Sequence, residues 1–150
     1  MTQPVNPVAP VATLANFAEP IGWPLLPVPD ANGQLQYPSL ALSVRELIQV
    51  LLSTRPGEQL MRPGFGAGLE NLLTEPNTVA TRARIKDLID DALKRWETRI
   101  VVDGIAVDPV SDASTGVADG VRVEIAYRLR RTGTPARVGL TLVMESRHAH

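Results

Sequence analysis

Cleaving a glycosidic bond takes two carboxyl groups about 5 to 10 Å apart. In this chain Glu46, Glu58, Glu70, Glu75 and Glu97 are the side chains such chemistry would recruit. They have little support. The chain holds two Trp, two Tyr and two Phe, few stacking platforms for a sugar cleft, and no histidine lies near any of these carboxylates. Asp90 and Asp91 are adjacent on a polar helix face, where solvation is the ordinary explanation. His148 and His150 sit at the extreme C-terminus, where chains fray. A Ser-His-Asp triad or a histidine-built metal site needs histidine inside the fold. Cysteine is absent, which excludes thiolate nucleophiles, disulfides and Cys-based zinc sites. Gly64-Phe65-Gly66-Ala67-Gly68 invites a phosphate-loop reading, but it follows no expected strand and lacks the GKS or GKT ending. Glycines that let a loop pack closely while Phe65 fills a core gap explain it better. The expectation is a chain with no catalytic residue, no cofactor and no metal.

Glu97 and Arg99 are less ordinary. Glu97 falls in the last turn of an expected helix, where the macrodipole disfavours negative charge, and Arg99 opens the strand that follows. A surface ion pair worth about 0 to 1 kcal/mol is one reading. A charged knuckle at a helix-to-strand joint, kept for contact with another chain, is the other. Composition leaves both open.

The elements that carry these residues follow from periodicity. Ser43 with Glu46 has the form of a capping box, and Val44, Leu47, Ile48, Leu51 and Leu52 then predict a helix over Ser43 to Ser53, ended by Pro56-Gly57. A loop-rich stretch follows, with a helical turn from Ala67 to Leu73. Thr78 is the expected N-cap of a longer helix whose apolar stripe is Ile85, Leu88, Ile89, Ala92, Leu93 and Trp96. From Ile100 the period changes to two. Ile100 to Val107 reads as a strand, then Asp108 to Gly120 as a small, polar, mobile loop. Val121, Val123, Ile125, Tyr127 and Leu129 alternate with polar residues, Thr132-Gly133-Thr134-Pro135 turns, and Val138, Leu140, Leu142 and Met144 alternate again. The expected fold class is α+β: two main helices packed on a small antiparallel sheet that ends in a C-terminal β-hairpin.

With 150 residues the chain holds one domain's worth of sequence. Eight of its 13 prolines lie in the first 38 residues. Residues 1–20 therefore read as an extended Pro/Ala-rich arm, 21–146 as the folded domain, anchored first by Gly22-Trp23-Pro24-Leu25-Leu26, and 147–150 as a tail. The 15 Lys+Arg against 16 Asp+Glu leave a charge of -1, which gives no support for a nucleic-acid or anionic-membrane partner. No Lys or Arg precedes Arg45, so a basic leader is missing. No apolar run approaches the ~20 residues that span a bilayer. Synthesis in the cytoplasm is expected, with later placement as part of something larger.

Arg55-Pro56-Gly57-Glu58-Gln59-Leu60-Met61-Arg62-Pro63-Gly64-Phe65-Gly66 resembles the P-G-E-R-x-M-x-P-x-F-G stretch of the GPW-type baseplate wedge family of contractile phage tails and injection systems, TssE-like subunits included. Leu72-Leu73-Thr74-Glu75-Pro76-Asn77 fits the next segment, and Trp96-Glu97-Thr98-Arg99-Ile100 fits the family's W-E-P-R-I signature. Gln59 stands where the family usually has Arg, and Thr98 replaces the motif's proline, which implies a less rigid joint. The resemblance implies a structural subunit of a tail or injection-particle baseplate. Its partners would be other wedge subunits, the tail sheath protein and tube-initiator or hub proteins. Trp96, Glu97, Arg99 and Glu58 would contact the wedge core bundle. The strand bearing Val138, Leu140, Leu142 and Met144 would template the first sheath ring by strand addition. Two readings compete with this one. Some relatives carry a lysozyme label, with Glu58 and Glu97 as the carboxylates, and a regulatory binding module shares the fold family.

Overall fold

The structure, a computed structural model, describes residues 22, 28–112 and 117–145. The proline-rich arm, all of the Gly22 to Leu26 anchor except Gly22, and the histidine-bearing tail lie outside the described residues. Helix α1 spans Leu40–Ser53, a short 3-10 turn Leu72–Thr74, helix α2 Val79–Trp96, and strands β1 Ile100–Asp112, β2 Val117–Leu129 and β3 Pro135–Val143. The strands form one antiparallel sheet in the order β1-β2-β3. Both helices and one sheet face share a single core, which is the expected α+β arrangement.

Thr78 caps α2 as its sequence predicts: its hydroxyl accepts from the Thr81 N–H at 3.1 Å, replacing a bond the first turn cannot make. Ile85, Ile89, Ala92 and Leu93 are buried, and Leu88 and Trp96 pack against the same core. The start of α1 differs from expectation. Ser39, not Ser43, is its N-cap, accepting from the Leu42 N–H at 3.2 Å. The helix therefore begins one turn earlier and buries Leu40 as well. Ser43 becomes an interior residue with its hydroxyl turned into the fold.

In β2 the alternation holds: Val121, Val123, Ile125, Tyr127 and Leu129 are all buried, each burial contributing roughly 1.5–3 kcal/mol for the aliphatic members. The expected loop from Asp108 to Gly120 is mostly strand instead. Asp108 stands opposite Arg122, Pro109 opposite Val121 and Val110 opposite Gly120. Pairing depends on main-chain groups and a partner in register, so it continues where the apolar pattern lapses. Register shifts fall between Val102 and Gly104 and between Val110 and Asp112.

The glycine-rich loop works by packing. Phe65 is buried and meets Trp96 edge-on at 5.4 Å between ring centroids. Gly66 has φ +129, and a Cβ there would lie 2.4 Å from the Thr54 carbonyl oxygen. Only glycine fits that backbone and that gap. Gly66→Ala should lower stability by about 1–3 kcal/mol from backbone strain alone. Urea denaturation followed by circular dichroism measures it, and a midpoint equal to wild type would show that the loop relaxes without cost.

Candidate functional site

Helix α2 stops at Trp96, and within three residues the chain reverses into β1. Glu97 makes the reversal. Its N–H still donates to the Leu93 carbonyl at 2.9 Å, while its side chain folds back under the joint. That side chain is 1% exposed, against 35% for Arg99. The two carboxylate oxygens accept from Arg99 Nε at 2.8 Å and Nη2 at 2.6 Å, a bidentate pair. Oε1 also accepts from the Arg99 main-chain N–H at 3.0 Å. A negative charge at a helix C-terminus is unfavourable, and this fork neutralises it. The bonds to Glu97 hold the Arg99 guanidinium firmly in its charged form, with burial opposing and the opposite charge assisting.

The surface-pair reading of Glu97 is thus overturned by its burial. Two further contacts make the joint a three-way junction. Arg99 Nη1 donates to the Ser43 hydroxyl at 3.1 Å, tying the joint to α1. Arg130, at the end of β2, donates from its main-chain N–H to the Arg99 carbonyl at 2.8 Å and from Nε to the Thr98 carbonyl at 3.1 Å. Thr98 therefore leaves the joint braced from β2 despite the missing proline. Nearby, burial raises the Tyr127 phenol above its ordinary range; Arg45 opposes the shift and Glu97 adds to it. Gly22 packs against Ser43, where a Cβ would stand 2.3 Å from the Ser43 Cβ.

The other expected site residues are scattered around this junction. Trp96 is half-buried against Phe65. Glu58 is exposed on the glycine-rich loop, where its Oε2 accepts from the Arg55 N–H at 3.0 Å. Glu75 pairs with Arg84 at 2.8 Å on the surface. Val138 and Met144 are buried in this chain's own core, with Leu140 and Leu142 packed against it. The side chains expected to meet a sheath strand thus face inward. Among the described residues no group of three His, Asp or Glu converges as a metal cage, and no helix is long and apolar enough to cross a membrane.

The sheet has two edges, and they differ. Leu129 N–H donates to the Thr134 carbonyl and Met144 N–H to the Asp119 carbonyl. In an antiparallel ladder these bonds place even-numbered β3 residues in the hydrogen-bonded pairs with β2. Arg137, Gly139, Thr141 and Val143 then direct N–H and C=O away from β2, and no described strand lies beyond β3. The β1 edge is blunted. Arg130 Nη2 occupies the Ile100 carbonyl at 3.3 Å, the ladder shifts at Gly104, and Pro109 has no N–H to offer.

Arg99→Ala should leave the Glu97 carboxylate enclosed without its counter-charge and cost about 3 kcal/mol, the low end for a broken buried pair because Arg99 is partly wet. Thermal and urea unfolding of the purified chain measure this. A loss below about 0.5 kcal/mol would return the pair to the status of surface charges.

A family model described as Baseplate wedge protein gp25 matches residues 38–134. No curated protein matches the chain. Among solved structures, a Geobacter sulfurreducens protein described as a candidate tail lysozyme aligns with TM-score 0.63 at 24% identity, covering 76% of this chain and 99% of that one. A chain of the anti-feeding prophage baseplate aligns with TM-score 0.55 at 18% identity, covering 85% and 90%. A chain of the post-contraction pyocin R2 baseplate aligns with TM-score 0.49 at 22% identity, covering 80% and 96%. The family match contains the glycine-rich loop, both helices and the Glu97–Arg99 joint, and on that basis the chain belongs to the baseplate wedge protein gp25 family, a family of structural baseplate components.

Proposed function

We propose that this subunit sits in the baseplate wedge and starts the tail sheath, adding a sheath strand to the outer edge of β3. The observation that carries the reading is the asymmetry of the two sheet edges. β1 is closed by an arginine, a register shift and a proline, whereas β3 presents four N–H groups at two-residue spacing. An edge of that kind is a template for another chain's strand. Each added main-chain bond is worth a net ~0.5–1.5 kcal/mol, so a handful repeated around a ring holds firmly. Recognition rests on the backbone of Arg137, Gly139, Thr141 and Val143, while Val138, Leu140, Leu142 and Met144 keep the strand flat on its own core.

The wedge contact belongs to the junction at the other end of α2. Glu97 acts there from inside, aiming Arg99, and Arg99 is the member with surface to offer. Trp96, edge-on against Phe65, and exposed Glu58 on the glycine-rich loop are its further members. Catalysis is not part of the reading. Glu97, the most enclosed carboxylate among the described residues, has both oxygens engaged by Arg99.

Proline at Gly139 and Thr141 removes two outward donors without touching the ladder to β2, since edge strands tolerate proline there. Particles carrying the double variant should bear sheath at least about tenfold less often, while the chain remains in the baseplate. Negative-stain micrographs count this. Fully sheathed particles at wild-type frequency would sink the templating role.

A further inference from the structure

We propose that Leu60 and Met61 form an apolar knob that enters a pocket with an acidic rim on another subunit of the baseplate. Both side chains are 95% exposed, and the next most exposed large apolar residue among those described, Val79, reaches 75%. A single exposed apolar residue needs no explanation, but two adjacent ones directed into solvent from a fixed loop do. The loop is fixed from both ends. Glu58 N–H donates to the Arg55 carbonyl, Arg62 N–H to that of Gln59, Phe65 N–H to that of Arg62 and Ala67 N–H to that of Leu51, at 2.9 to 3.1 Å. Buried Phe65 and the Gly66 turn against Thr54 anchor its C-terminal side. A knob held this way loses little freedom on docking, which is the economy of a preorganised contact.

Charge identifies the occupant. Arg55 and Arg62 flank the knob and are exposed, while Glu58 turns its carboxylate back onto the Arg55 N–H. The surface offered is apolar at the tip and basic at the margin, so the complementary pocket is apolar with carboxylates around it. A second copy of this chain does not offer such a pocket beside α2. The cavity of about 230 Å³ beside α2 is bordered by Lys94 and Arg130, the same sign as the knob's margin, and its one carboxylate, Glu97, is already neutralised by Arg99. This contact is separate from the β3 edge, and its readout is retention of the chain in the baseplate, whatever happens to the sheath.

The test uses the full chain supplied to cells that lack it, with particles purified and this subunit quantified by mass spectrometry. Leu60→Ser with Met61→Ser should fold and melt as wild type, because neither residue packs on the core. Its retention per particle should fall at least tenfold, as loss of two buried apolar side chains implies. Arg62→Glu alone should lower retention several-fold. A photoreactive benzoylphenylalanine in place of Met61 should give an adduct with a different baseplate subunit, at a peptide carrying Asp or Glu. Wild-type retention of the double serine variant overturns the knob, and wild-type retention of Arg62→Glu overturns the acidic rim. An adduct to another copy of this chain, with a concentration-dependent dimer in sedimentation, overturns the assignment of partner.

Discussion

A carboxylate enclosed at the negative end of a helix is a costly thing to build, and the joint after α2 is organised around offsetting that cost. Arg99 reaches it with two parallel bonds and satisfies its own main-chain N–H on the same oxygen. Once the guanidinium is fixed there, its remaining donors and its carbonyl have settled directions. Ser43 brings α1 to one side and Arg130 brings β2 to the other. The helix-to-strand angle, the seating of α1 and the first rung of the sheet thus share one interaction. The isolated family sequence pattern suggests a proline lock at this point, but here the lock is a hydrogen-bonded fork braced by Arg130.

The arrangement divides the surface into regions of different character. At the joint a guanidinium is held with about a third of its side chain in water, its charge supported from beneath. Along β3 the side chains that face the core keep the strand in place, and alternate main-chain groups point away from β2. Along β1 the same kind of groups are withdrawn by Arg130, the shift at Gly104 and Pro109. A sheet with one live edge and one blunted edge can accept a partner strand without polymerising through both.

Periodicity made much of this readable. The stripe from Ile85 to Trp96 and the alternation from Val121 to Leu129 each bury a continuous face, and a face that must be buried admits one secondary structure. The start of α1 was less legible. Ser39 and Ser43 are both sound N-caps by type, and the choice fell to Ser39 because Leu40 has core to fill and Ser43 has Arg99 to receive. The extra length of β1 and β2 was likewise hidden, since Asp108 to Gly120 looks polar and pairing there answers to main-chain register.

From sequence alone came the helices, the hairpin, the absence of cysteine and of any histidine before His148, and the pairing of Glu97 with Arg99 as the residues to watch. These depend on local pattern and on residue chemistry, which travel with the chain. Only tertiary structure decided that Glu97 is interior and Arg99 partly exposed. Only it showed that Val138, Leu140, Leu142 and Met144 pack into or against the chain's own core, and that Leu60 and Met61 stand outside the core while Phe65, four residues beyond Met61, is within it. Burial and edge direction are properties of what packs against a residue from distant sequence, and no local spacing encodes them.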